Sequence, residues 1–131
     1  DTSNVENMIG MFTGATAFNQ DIGSWDVSKV TNMDGMFTRA KKFNRDIGSW
    51  DVSSVVNMYA MFYQATDFNQ DVGSWDVGKV TRINYMFGEA AAFNQDLTKW
   101  CVTNFTSEPT NFSISSALTE ANLPIWGTCP D

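Results

Sequence analysis

The sequence predicts an α/β fold: a right-handed solenoid of four 25-residue coils, each with one short strand and one short helix, closed by a C-terminal cap. Three observations predict it. A repeat runs without insertion through residues 1–100, each repeat carries apolar residues at helical spacing followed by a short extended segment, and the pattern stops after Trp100. One such unit is too small to bury its own apolar face, so the repeats are expected to stack.

Columns of identical residues define the repeat. Tryptophan recurs at Trp25, Trp50, Trp75 and Trp100, and phenylalanine recurs at Phe18, Phe43, Phe68 and Phe93. The blocks are residues 1–25, 26–50, 51–75 and 76–100, with the shared frame DVSxVxNMxxMFxxAxxFNQDIGSW. We expect these apolar columns to face the interior of the stack.

The first half of each block has the spacing of an amphipathic helix. In the second block an apolar stripe is formed by Val30, Met33, Met36, Phe37 and Ala40, at offsets of 0, 3, 6, 7 and 10. Such a stripe is typical of one face of a short helix. We therefore predict a helix here in every block.

The second half of each block has the pattern of a strand. Phe43 and Ile47 are expected to point inward from a short extended segment, residues 43–47. A turn at Gly48 and Ser49 then brings the chain back to the core. Stacked blocks would align these segments as parallel strands.

Polar columns repeat with the same spacing. Asparagines recur at Asn19, Asn44, Asn69 and Asn94, and again at Asn7, Asn32 and Asn57. Aspartates recur at Asp1, Asp26, Asp51 and Asp76, and again at Asp21, Asp46, Asp71 and Asp96. We interpret the first asparagine column as a structural ladder, the second as helix caps, and the aspartates as turn caps. Calcium between coils is the alternative for the aspartates, but no known calcium-binding loop occurs and we expect no bound calcium.

The frame also resembles a known family. The recurring WDVS, NM, MF and FNxD elements of residues 1–100 are similar to the bacterial surface-protein 26-residue repeat, which is related to BspA-like leucine-rich-repeat surface proteins. The segment 118–130 resembles the tail that closes such arrays. The resemblance implies a leucine-rich-repeat-like solenoid, surface exposure and a role in attachment, and it carries over no catalytic residue. The period here is 25 rather than 26.

The last segment, residues 101–131, is predicted to be a cap. Cys101 and Cys129 are the two cysteines and stand at its opposite ends, so we predict a disulfide between them and an oxidising compartment. Two free thiols are the alternative. The stretch 113–122 is predicted to form a short helix.

Composition excludes several classes of function. The chain has a net charge of −7 and no histidine. A negative surface repels phosphate backbones, so we expect no nucleic-acid partner, and no apolar run is long enough for membrane insertion. Without histidine, and with carboxylates that recur identically in every repeat, the sequence offers no catalytic centre. We expect neither an enzyme nor a bound cofactor.

Positions that differ between repeats are the candidate binding residues, because stacking does not dictate them. Four of the eight basic residues lie in one stretch, at Arg39, Lys41, Lys42 and Arg45. A second candidate set is the column Gln20, Gln70 and Gln95, which Arg45 completes. The alternative for the basic residues is a solvated corner that only maintains solubility.

These observations predict a non-enzymatic adhesion or protein-interaction module that is extracellular or lies at the cell surface. Its partner would be an extracellular protein or a glycan. The alternative is a carbohydrate-binding or purely structural spacer domain of a larger secreted protein. Residues 1–12 are already in phase with the repeat, so we expect a monomer or a fragment of a longer array.

Overall fold

A computed structural model describes residues 1–130 of the chain. Within this range the helical structure is a single 3-10 helix, Glu120–Asn122, and no β-strand is present. Parallel pairing is limited to three isolated bridges, which join Asn7 to Asn32, Asn32 to Asn57, and Asn57 to Arg82. The predicted α/β solenoid, with a strand and a helix in each coil, is therefore wrong. The helix predicted for residues 113–122 is also absent apart from the 3-10 turn.

The 25-residue blocks do stack, and they are built from turns. Phe12, Phe37, Phe62 and Phe87 form a column of near-parallel rings with centroids 5.4 to 5.6 Å apart. A second column of rings runs beside it, through Phe18, Phe43, Phe68 and Phe93. These columns place equivalent residues of successive blocks directly above one another.

The hydrogen bonds explain why the apolar stripe does not form a helix. In the second block the N–H groups of Met33, Gly35 and Phe37 donate to carbonyls of the third block, about one coil further along. The N–H groups between them close local turns, as Met36 does on Met33. An α-helix needs every N–H for its own i−4 carbonyl, so this division of donors excludes one.

Left-handed backbone conformations also exclude an α-helix here. Gly35 has φ 62° and Arg39 has φ 61°, and the equivalent positions are left-handed in each of the four blocks. A positive φ at the third residue is what a type II turn requires and what a right-handed helix cannot contain. Turns of three residues that end at Val30, Met36 and Ala40 return the chain to the core, which imitates helical spacing.

Side chains replace the predicted strand ladder. The N–H of Asn44 donates to the side-chain oxygen of Asn19 at 2.9 Å, and the same bond joins Asn69 to Asn44 and Asn94 to Asn69. The oxygen of Asn94 receives the N–H of Thr119 in the cap. The predicted structural asparagine ladder is confirmed. Because its acceptors are side chains, the backbone here makes no sheet.

The core is a set of apolar columns inside the stack. The side chains of Phe62, Phe68, Val72 and Met61 are fully buried, and Trp50 is 4% exposed. Phe18 and Trp25, in the first block, are partly buried because no earlier block covers them. The predicted inward-facing columns are thus confirmed, with partial exposure at the first coil.

Aspartates cap the turns that follow them. The carboxylate of Asp51 accepts the N–H of Ser53 at 3.0 Å and also its hydroxyl, and Asp26 and Ser28 form the same pair. The side chain of Asn32 similarly accepts the N–H of Asp34, so this asparagine column caps turns rather than helices. The capping role predicted for the aspartates is confirmed.

These caps predict an acid-sensitive contribution to stability. The Ser53 hydroxyl and N–H lower the pKa of Asp51 below its usual 3.8, and Ser28 and Thr98 do the same for Asp26 and Asp96. A carboxyl group with a lowered folded-state pKa stabilises the fold above pH 3.8, and this stabilisation disappears as pH falls through the folded pKa. We expect Ser53→Ala to lower the urea midpoint at pH 7, and the difference from wild type to narrow as the pH falls below 3.8. A difference that does not change with pH would contradict this.

The cap continues the turn pattern with one extra residue. The N–H of Phe87 donates to the carbonyl of Phe112, and that of Glu89 to the carbonyl of Ile114. Asn111 and Ser115 are left-handed, as Tyr85 and Glu89 are 26 residues earlier. The segment 109–116 thus covers the fourth block with a copy of its own turns. The predicted disulfide between Cys101 and Cys129 is present.

Candidate functional site

A groove of about 500 Å³ runs across the stacked turns and crosses all four blocks. Its floor is the column of left-handed residues Gly10, Gly35 and Ala60. One side is formed by Ile9, Asp34 and Tyr59, and the other by Thr13, Thr38 and Tyr63. In each block the floor residue comes one position after the first side and three positions before the second. All three columns therefore come from the same turn, and the geometry of that turn opens the groove.

Tyr85 closes one end of the groove. It occupies the floor position of the fourth block, where earlier blocks carry Gly10, Gly35 and Ala60. Its ring meets Tyr63 edge-on at 5.7 Å and Tyr59 at 6.0 Å between centroids. The three tyrosines of the chain therefore form one cluster in the groove.

Tyr85 holds an unfavourable backbone conformation. Its φ of 61° is left-handed, which costs a residue other than glycine about 1–2 kcal/mol. Glycine occupies this position in the first two blocks, so the turn has no need of a side chain. The left-handed φ belongs to the turn in every block, since Ala60 shares it, so the tyrosine ring is the feature that distinguishes the fourth block.

A polar chain supports the tyrosine side of the groove. The hydroxyl of Tyr63 donates to the Glu89 carboxylate at 2.6 Å, and the amide of Gln64 donates to the same oxygen at 3.4 Å. The guanidinium of Arg39 donates to the Gln64 amide oxygen at 2.8 Å. The bond to Glu89 raises the pKa of Tyr63, because it stabilises the protonated phenol. Arg39, Gln64 and Glu89 are all left-handed.

A cation also lies against the cluster from outside. The guanidinium of Arg82 is 5.0 Å from the centre of the Tyr59 ring, within the range of a cation–π interaction. Arg82 is not among the residues that line the groove. It fixes the ring of Tyr59 in place without occupying the cavity.

The predicted binding residues lie beside this groove or away from it. Arg39 belongs to the polar chain, whereas Lys41 and Lys42 are exposed on a separate turn. The guanidinium of Arg45 donates to the Asn19 carbonyl, so it is part of the stacking contacts.

The predicted glutamine column is similarly engaged. Gln70 and Gln95 donate their amides to the asparagines of the preceding block, Asn44 and Asn69. Gln20 has no preceding block and is exposed. The column therefore clamps the asparagine ladder in the later blocks, and only its first member faces solvent.

Sequence reasoning missed the groove because it assumed a helix here. The groove is lined by turn residues with left-handed φ at Gly10, Gly35 and Ala60, which a right-handed helix does not contain. One signal was available: Tyr63 and Tyr85 stand at frame positions that hold threonine and glycine in the first two blocks, and Tyr59 stands at one that holds isoleucine and aspartate. A repeat broken by three residues of one type at neighbouring positions indicates a selected surface.

Neither a metal centre nor a membrane-spanning helix is present in the part of the chain that the structure covers. Among residues 1–130, no three histidine, cysteine or carboxylate side chains converge as a metal centre would require. Over the same range, no helix has the length and apolarity needed to span a membrane. The tyrosine-lined groove is therefore the candidate site.

The comparisons place the chain in a family. Residues 1–61 and 23–126 match the family described as "Mycoplasma protein of unknown function, DUF285". The two matches overlap and together cover most of the sequence, so the chain belongs to this family. Comparisons with curated proteins and with solved structures find no significant match.

Proposed function

We propose that this member of the DUF285 family is a non-enzymatic binding module of the cell surface or of a secreted protein, and that it holds a partner protein in the tyrosine-lined groove. The disulfide between Cys101 and Cys129 supports an oxidising location. The resemblance to bacterial surface-protein repeats supports surface attachment.

One observation carries the proposal. The repeated residues are accounted for by stacking, turn caps and inter-block hydrogen bonds, whereas Tyr59, Tyr63 and Tyr85 break the repeat together in one groove. Tyrosine is enriched in binding surfaces because its rigid ring buries a large area at low entropic cost. Tyr85 also takes the left-handed position that glycine holds in the first two blocks.

The proposal predicts that Tyr85→Gly removes binding and leaves stability nearly unchanged. Glycine relieves the left-handed strain, and this offsets the loss of two edge-on ring contacts worth about 0.5–1.5 kcal/mol each. We expect the unfolding free energy to stay within about 1 kcal/mol of wild type. Binding would be measured on arrays of purified extracellular proteins and of glycans.

Lys41→Ser/Lys42→Ser is the matched control for that experiment, because it alters the exposed basic residues and leaves the groove intact. Proteins bound by wild type and by this control, but not by Tyr85→Gly, support the groove. Loss of binding only in the lysine variant would assign the site to the basic cluster. A wild-type chain that bound nothing on either array would favour the structural spacer.

A further inference from the structure

We infer that the groove receives a lysine or arginine side chain, presented by an extended segment of the partner protein. This inference rests on the proposed function and names the chemistry of its partner. It follows from the hydrogen-bonding groups that remain free in the groove, from the charge of its lining, and from its length.

The floor has no hydrogen-bond donors to offer a ligand. The N–H groups of Gly10, Gly35 and Ala60 donate to carbonyls of the next block. The hydroxyls of Thr13 and Thr38 donate to the carbonyls of Gly35 and Ala60 at 2.6 Å. Each threonine oxygen keeps only its acceptor lone pairs.

The sides of the groove are also poor in donors. The N–H groups of Ile9, Asp34 and Tyr59 each donate to an asparagine side chain two residues earlier. The hydroxyl of Tyr63 donates to Glu89. Apart from the hydroxyls of Tyr59 and Tyr85, which can donate or accept, and the N–H of Tyr85, the floor and sides offer acceptors. A matching ligand must supply the donors.

The strongest of these acceptors is a carboxylate without a partner. Among residues 1–130 the Asp34 carboxylate receives no hydrogen bond, and it is the single charged side chain that lines the groove. Ammonium and guanidinium groups have donors and no acceptors. They also bind favourably over tyrosine rings, as Arg82 does over Tyr59. The net charge of −7 adds attraction at longer range.

The remaining lining suits the aliphatic stem of such a side chain. Ile9 is 52% exposed beside the floor, and Ala60 presents a methyl group within it. Lysine and arginine bury their methylene stems on apolar surface while the charged end reaches a polar partner. A cation directed at Asp34 would therefore lie along this floor.

The length of the groove indicates an extended segment. Successive blocks are 5.4 to 5.6 Å apart between phenylalanine centroids, and the groove passes from Ile9 to Tyr85 across three such steps. An extended chain advances roughly 3.3 Å per residue, so about five residues fit.

The test uses the intact chain labelled with ¹⁵N and follows the backbone signals of the floor residues. The probes are capped glycine–serine peptides of about seven residues with a central arginine, lysine or neutral citrulline, and a short neutral β-linked glucan. We expect saturable shifts at Gly10, Gly35 and Ala60 with the arginine and lysine peptides. The citrulline peptide should bind at least about fivefold more weakly, since it lacks the charge.

Two variants of equal charge separate a local contact from the overall field. Asp34→Asn should weaken binding of the arginine peptide about fivefold, while Asp67→Asn, which removes an exposed carboxylate outside the groove, should change it less than about twofold. Equal effects of the two variants, or no saturable shift with the arginine peptide, would overturn the inference. Groove shifts with the glucan alone would overturn it too, yet would keep the groove as a binding site.

Discussion

Trp50→Ala is expected to lower the free energy of unfolding by about 4 kcal/mol or more. Removing a buried tryptophan side chain costs about 3–5 kcal/mol. The indole N–H of Trp50 also donates to the Ile22 carbonyl of the preceding block at 3.1 Å. Loss of that donor removes one of the two hydrogen bonds that the Ile22 carbonyl accepts, the other coming from the N–H of Trp25, and this adds to the cost. Urea denaturation followed by circular dichroism measures the change.

Trp25→Ala is the matched control for that variant. Trp25 has the same position in the frame, but it is only partly buried and has no preceding block to bond. We expect this substitution to cost about 2 kcal/mol or less. Equal urea midpoints for the two variants would show that the tryptophan column does not hold the blocks together.

The tryptophan column illustrates what sequence alone could establish. The 25-residue spacing correctly identified which side chains are internal, because burial in a stack depends only on register. It did not reveal the indole bonds of Trp50, Trp75 and Trp100 to carbonyls 28 residues earlier. Those bonds depend on the path of the backbone between repeats.

The secondary structure predicted from the sequence was wrong for a specific reason. Three-residue turns end at Val30, Met36 and Ala40, which lie in the core, and a helix produces similar spacing. Left-handed conformations at Gly35 and Arg39 decide between the two. Gly35 could have given a warning, but Arg39 could not, since arginine is a good helix former. Tertiary hydrogen bonds to the next block override that propensity.

The candidate site was less accessible to sequence reasoning than the core. The clustering of basic residues predicts a site at Arg39 and its neighbours, whereas the groove is formed by three tyrosines and a floor of small residues. The groove follows from the left-handed turns, which the helical interpretation excluded. Nothing in the sequence distinguishes Asp34 from the other carboxylates, and its place in the groove is a property of the folded turns.

Gly48→Ala is expected to destabilise the chain by about 3 kcal/mol, because it forces two blocks apart. A β-carbon at Gly48 would lie 2.6 Å from the backbone carbonyl oxygen of Asp71 in the next block. That oxygen is part of the main chain, so a side-chain rotation cannot relieve the overlap. The sequence predicts a turn at Gly48, but this close approach is what requires glycine.

Gly78→Ser separates the overlap from a general effect of replacing glycine. The atom nearest to a β-carbon at Gly78 is the Asp76 side-chain oxygen at 3.1 Å. Earlier blocks already carry serine here, and Ser53 bonds to the equivalent carboxylate of Asp51. We therefore expect no loss of stability, and a gain of up to about 1 kcal/mol from the new hydrogen bond. If urea midpoints showed Gly48→Ala to be as stable as Gly78→Ser, the blocks would not be packed as closely as the structure places them.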